Sequence, residues 1–270
     1  MLLRSITKHV KNQDWFAVVI DFAIVVFGIL LAFQITEWNQ SLKDKSLERE
    51  YLERISQDLE RDANALQQAA QLNERQAARL GLVSSLNNDM EAANANRCEY
   101  LRSLFVGVVT NFPDVFNQTR NEMVASGGLT ILQDNTIKDQ IGIYYNAYEA
   151  YANVDSSVAA SFRPFRELSR GYLPAVIGRP LLVSAHELLS QNGNARDFLN
   201  NQEDRSLNPR FCADNENEFI TFYKAINSDP AFSGHLQMGQ ASHLRMLRFA
   251  RRQLALNQSL KMLIKEKLNQ

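Results

Sequence analysis

Cysteine is scarce, with Cys98 and Cys212 the only two in 270 residues. Two are too few for a zinc site, and their wide separation rules out a C-x-x-C redox motif. One disulfide in an oxidising compartment and two separate thiols both fit, because sequence carries no distance. Histidine is equally sparse, at four. His186-Glu187-Leu188-Leu189-Ser190 begins like the H-E-x-x-H zinc helix, but Ser190 stands where the second ligand is required. His235 and His243 have no acidic or cysteine neighbour to complete a ligand set. Phosphate loops, G-x-G-x-x-G turns and serine nucleophile elbows are absent. No catalytic residue, cofactor or metal is therefore expected, and the chain is read as a non-enzyme. A net charge of −1 with no long block of one sign gives no nucleic-acid footprint.

What the chain does have is one long apolar run, Trp15 to Trp38. From Phe16 to Phe33 there are 18 consecutive residues of which only Asp21 is polar. That length crosses a hydrocarbon core of about 30 Å at about 1.5 Å per residue. A cleaved signal peptide fits poorly, since the run is too long and LAFQITEWNQ offers no A-x-A-like site. The expected organisation is a short cytoplasmic tail (1–14), a transmembrane helix (15–38) and an extracytoplasmic α-helical domain (39–270). Orientation follows from charge: Arg4, Lys8 and Lys11 before the span tie with Lys43, Lys45 and Arg49 after it, and the free amine tips the balance. For a bacterial source, the expectation is then a single-pass inner-membrane protein with its N-terminus inside and its bulk periplasmic.

Over the whole chain, 45% hydrophobic and 22% charged residues fit a globular protein. From Asn39 to about Ala93 helix formers dominate and proline is absent, which predicts one long helix. Alternating steps of three and four give the seam Leu52, Ile55, Leu59, Asp62, Leu66, Ala69, Asn73, Gln76, Leu80, Val83, Asn87 and Met90. Its polar members, Asp62, Asn73, Gln76 and Asn87, require polar partners or water. After a turn at Asn94–Asn96, a helix is expected from Cys98 to Asn111, ended by Pro113, and another from Asp114 to the Gly127-Gly128 stop. Next comes a helix from Thr136 to about Ala160. Pro164, Pro174 and Pro180 should break the next stretch into short pieces, with Arg179–Ser184 the one extended candidate. Helix returns at Glu216–Asn227, and a second long helix is expected from Leu236 to Leu268. Leu247, Leu254, Leu256, Leu260, Leu263 and Ile264 form its apolar stripe, and Arg245, Arg248, Arg251 and Arg252 a solvated basic face. The fold class is mainly α without substantial sheet: the span continues into the long helix, which forms an antiparallel helical bundle with the C-terminal helix.

Two stretches are familiar. One is Asp21, Gly28, Leu31, Ala32, Trp38 and Asn39, followed by Tyr51, Leu52, Ile55, Asp58 and Leu59. The other is SGGLTILQDNTIKDQIGIYY, residues 126–145. Together they resemble a family of uncharacterised bacterial single-span membrane proteins, in which Glu commonly stands where this chain has Asp21. The resemblance implies a single span with an extracytoplasmic helical domain and implies no known activity.

Two features carry candidate function. Ile137, Ile141, Tyr144, Tyr148 and Tyr151 share a helix face, with the three tyrosines a possible pocket wall, although such a stripe is more often core. In the span, Asp21, Val25, Gly28 and Ala32 share a face, and an acid beside small residues lets another helix approach closely. One reading makes this a contact with a second copy or a partner's transmembrane helix, the domain serving as scaffold, sensor or assembly factor. The alternative makes Asp21 a proton carrier, by similarity to the small subunits of proton-driven membrane complexes. An enzyme with dispersed catalytic residues is a third. The partners expected are membrane lipid and another transmembrane helix.

Overall fold

The computed structural model describes residues 15–107, 112–172 and 215–269. Cys212, His186, the Arg179–Ser184 segment and the breaks expected at Pro174 and Pro180 lie outside the described residues, as does the tail before Trp15. Seven α-helices and one 3₁₀ turn make up the described fold, and no strand occurs among the described residues.

Helix α1 runs unbroken over Trp15–Leu86, 72 residues, or about 108 Å at 1.5 Å per residue. The expected end near Ala93 is corrected to Leu86. The Asn87-Asn88-Asp89 run supplies side chains that compete for backbone groups, and Asp89 accepts from the Ala92 amide at 2.9 Å to start α2, Met90–Ala95. Helix α3, Arg97–Val106, stops at Gly107. The helix expected from Asp114 begins later: α4 is Gln118–Ala125, and ahead of it the Phe116 amide donates to the Asp62 carboxylate of α1 instead of to a helix carbonyl. A left-handed Gly127 (φ 73) then leads into the 3₁₀ turn Gly128–Thr130.

Helix α5, Asn135–Tyr172, contains Pro164, so the proline does not break the chain as expected. Proline inside a helix removes one backbone bond and costs about 3 kcal/mol. Burial of the next residue, Phe165, against Phe232 at 6.2 Å between ring centroids offsets that loss. Helix α6 is Glu216–Ser228. Helix α7, Pro230–Leu268, starts earlier than the expected Leu236, with Asp229 capping the Ala231 amide and Pro230 preset in the first turn.

The α1 seam packs as its periodicity predicts. Every member from Leu52 to Val83 is buried, Asn87 is half-buried and Met90 exposed. Two hydrophobic clusters lie along it. The first joins Leu52, Ile55 and Leu59 of α1 to Ile137 and Ile141 of α5 and Leu260 and Ile264 of α7. The second gathers Leu80, Val83, Tyr100, Phe219, Phe222 and Phe232. Ala69, Ala70, Leu247 and Ala250 join α1 and α7 between them. Asn257 meets Leu59, His243 meets Asn73 and Gln240 lies beside Gly81, so partner numbers on α7 fall as those on α1 rise.

Candidate functional site

The densest polar constellation sits in the first cluster, where the two familiar stretches pack on one another. Tyr51, Leu52, Ile55 and Leu59 of α1 meet Leu132, Ile137, Ile141, Tyr144 and Tyr145. A β-carbon on Gly128 would lie 3.0 Å from the Tyr51 ring, so the glycine permits that close approach. Tyr51 and Ser126 hydroxyls pair at 3.2 Å, and Asp134 caps α5 through the Thr136 and Ile137 amides.

Three buried carboxylates of α1 reach the chain between Phe112 and Asp134. Glu48 accepts from the Gln133 amide at 2.8 Å, Asp58 from the Thr119 hydroxyl at 2.5 Å, and Asp62 from the Phe116 amide at 2.7 Å. Outside this row, Arg54 pairs with Glu122 through both guanidinium nitrogens. Asp62 also accepts from the Tyr144 hydroxyl at 2.8 Å. On α7, Asn257 donates to the Leu59 carbonyl (2.8 Å) and to the Tyr144 hydroxyl (3.3 Å), and Gln253 donates to the Tyr144 carbonyl at 2.8 Å. Tyr145 donates to the Phe116 carbonyl at 3.2 Å.

Burial pushes Asp62 up to about 6, and the Asp58 charge adds to the rise; the Phe116 and Tyr144 hydrogen bonds oppose it. Burial, then the Asp62 charge, raises the Tyr144 phenol above its ordinary range. A second polar contact joins α7 to α1 and α3. The buried His243 ring places Nδ1 2.9 Å from the Asn73 side chain and Nε2 2.7 Å from the Gly107 carbonyl. The carbonyl only accepts, so Nε2 carries the hydrogen. Burial lowers this ring to about 4, with the Gly107 bond pulling the other way.

The polar seam residues of α1, and Asn87 just past its end, thus have polar partners: Asp62 with the Phe116 amide and Tyr144, Asn73 with His243, Gln76 accepting from Arg79 at 3.1 Å and Asn87 from the Tyr100 hydroxyl at 3.1 Å. Of the tyrosine stripe, Tyr144 is fully buried in the Asp62 network, Tyr148 packs at the edge of the first cluster, and Tyr151 stacks on Phe249 at 3.5 Å and on Phe112 at 5.1 Å. Asp21, Val25, Gly28 and Ala32 all lie on α1. Val25 and Ala32 are exposed, and a β-carbon at Gly28 would meet nothing within 4 Å. Cys98 is disulfide-bonded. His235 and His243 share α7 without forming a ligand set, and the described residues hold no group of three metal-ligating side chains. Arg251 of the basic face pairs with Glu74 at 2.9 Å. Sequence reading missed the packing role of His243, Gln253 and Asn257, the buried polar members of α7.

A family of unknown function, DUF6090, matches residues 21–155, half of the 270-residue chain. No curated protein and no solved structure matches it. The matched residues take in both familiar stretches and all three carboxylates that hold the Phe112–Asp134 segment. The chain belongs to the DUF6090 family of unknown function.

Proposed function

We propose that this is a membrane-anchored scaffold, sensor or assembly partner that works through helix contacts rather than catalysis. The observation that carries the reading is the division of α1. Its N-terminal part is long and apolar enough to cross a membrane, and none of that window is buried. The same helix continues without a break into the packed seam that starts near Leu52. Phe22, Ile24, Phe27 and Phe33 face outward, and large apolar side chains on an unpacked helix find their solvent in lipid.

In this reading residues 1–14 lie in the cytoplasm, 15–38 span a bacterial inner membrane, and 39–270 form a periplasmic domain in which α1 and α7 pair antiparallel. The order of the α1–α7 partners supports that pairing. The disulfide at Cys98, with Cys212 as its sole possible mate within the chain, suits an oxidising compartment. Non-enzymatic action is favoured because Asp62, Gln253 and Asn257 are closed inside the packing. The face bearing Asp21, Val25, Gly28 and Ala32 then meets a second copy or a partner's span. Pull-down of the detergent-solubilised protein tests this: Asp21→Asn and Gly28→Leu should each lower partner recovery, and full recovery in both would sink the reading.

A further inference from the structure

The chain between Phe112 and Asp134 rests on few apolar side chains. Pro113, Val115, Met123 and Leu132 are buried, while most of residues 116–127 face solvent. Buried carboxylates of α1 add to its hold beside the Arg54–Glu122, Tyr51–Ser126 and Tyr145–Phe116 contacts and the stacking of Phe112 on Tyr151, and among those carboxylates Asp62 differs in kind. It is fully buried, and no basic group among the described residues pairs with it. The titratable and charged groups facing it are Asp58 one turn away on α1 and Tyr144 and Tyr145 on α5. Helix α7 approaches through the Asn257 amide, which meets the Tyr144 hydroxyl, and the Phe112–Asp134 segment through the Phe116 amide, which donates to Asp62. Arg61 is committed to Asp58 at 3.6 Å and to the Phe116 ring at 5.5 Å, and Arg120 to Glu149 at 3.1 Å.

An ionised carboxylate shut in such a place has hydrogen-bond donors but no counter-charge, so burial disfavours it. A neutral one loses little by staying. Lifting the covering segment returns the ion to water.

We propose that residues 112–134 are a strap whose closure over α1 is coupled to proton uptake by Asp62, shut in acid and loosened as pH rises toward neutrality. The elevated proton affinity of Asp62 has the matching sign: a carboxyl raised from 3.8 to about 6 in the closed form favours opening as pH climbs through that window, with no further change above it. Opening uncovers Tyr51, Asp58 and Asp62 on one face of α1.

Hydrogen exchange of the full-length protein in detergent, read by mass spectrometry and corrected for intrinsic rates, tests the coupling. Between pH 4.5 and pH 7 the opening constant of peptides from 112–134 should rise on the order of tenfold, while peptides from α6 stay level. Asp62→Asn should flatten the rise. Should that variant not fold, Tyr144→Phe removes one donor to the ionised form and should move the midpoint to higher pH. A level wild-type profile, an unchanged rise in Asp62→Asn or an unmoved midpoint in Tyr144→Phe overturns the proposal.

Discussion

The two ends of the α1–α7 contact are built on different chemistry. At the strap end, three buried acids of α1 reach across, and the core is closed by Asp62, Tyr144 and Asn257. At the far end the core is aromatic. Tyr100 meets Phe219 edge-on at 5.7 Å, and the tyrosine hydroxyls donate outward, Tyr100 to Asn87 and Tyr223 to the Leu86 carbonyl. No carboxylate is fully buried there among the described residues; beside the buried tyrosines, the buried group that would take up charge in acid is His243. An acid and a base, each disfavoured as an ion by burial, respond to pH with opposite signs. One pair of helices therefore stores opposing proton linkage at two heights, and a single global unfolding curve would partly cancel it.

The largest effect that would break this contrast lies at the far end. Phe219→Ala should cost about 3–5 kcal/mol in denaturant unfolding, because a fully buried ring is removed from a packed aromatic cluster. That loss should be the same at pH 5 and pH 7; a pH-dependent loss would mean that the far end is not held by area alone. Next comes His243. Its ring is lowered from 6.5 to about 4 in the folded state, so the unfolded chain binds the extra proton between those values. The contribution is present above pH 6.5 and is lost as pH falls toward 4, on the order of 2–3 kcal/mol. Exchange of α3 and α7 amides near Gly107 and His243 should rise on acidification, opposite to the strap, and should become level in His243→Gln.

A smaller effect sharpens the strap end. Thr119 is buried and its hydroxyl donates to Asp58. Thr119→Val keeps the shape and deletes the donor, which should cost about 1–2 kcal/mol and raise exchange in 112–134 at every pH. An effect spread evenly over α7 as well would show that the segment does not move as a unit.

The contrast is half visible in the amino-acid order. On α1 the apolar period spells the seam, and its interruptions at Asp62, Asn73, Gln76 and Asn87 are the positions that find polar partners. Which partners they find is not visible, since Tyr144 and His243 lie far along the chain and only tertiary packing brings them in. On α7 the leucines draw attention to a broad stripe. The buried line instead steps by three and four through Leu236, Gly239, His243, Met246, Ala250, Gln253, Asn257, Leu260 and Ile264, so the same alternating step would have exposed its three polar members. Pro164 misleads because local propensity is outweighed by Phe165 packing on Phe232. The late start of α4 goes with the Phe116 amide, which donates to Asp62 of α1 ahead of the helix. The face of Asp21, Val25, Gly28 and Ala32 on the apolar part of α1 is legible only as a pattern, and its proposed occupant is a question for the pull-down.

The smallest prediction concerns the stretch between the two ends. Arg251 and Glu74 pair at 2.9 Å with both side chains more than half exposed. Solvent and salt screen such pairs, and holding two long side chains in one geometry costs entropy. Arg251→Gln should therefore leave the denaturation midpoint unchanged at pH 7 and leave both pH slopes, at the strap and near His243, as they are. If it shifts either slope, surface charge reaches the buried groups, and the opposing linkage cannot be assigned to Asp62 and His243 alone. If both slopes hold, the pH response belongs to the two buried groups, and the exposed ion pairs between them serve only to keep a helix face in water.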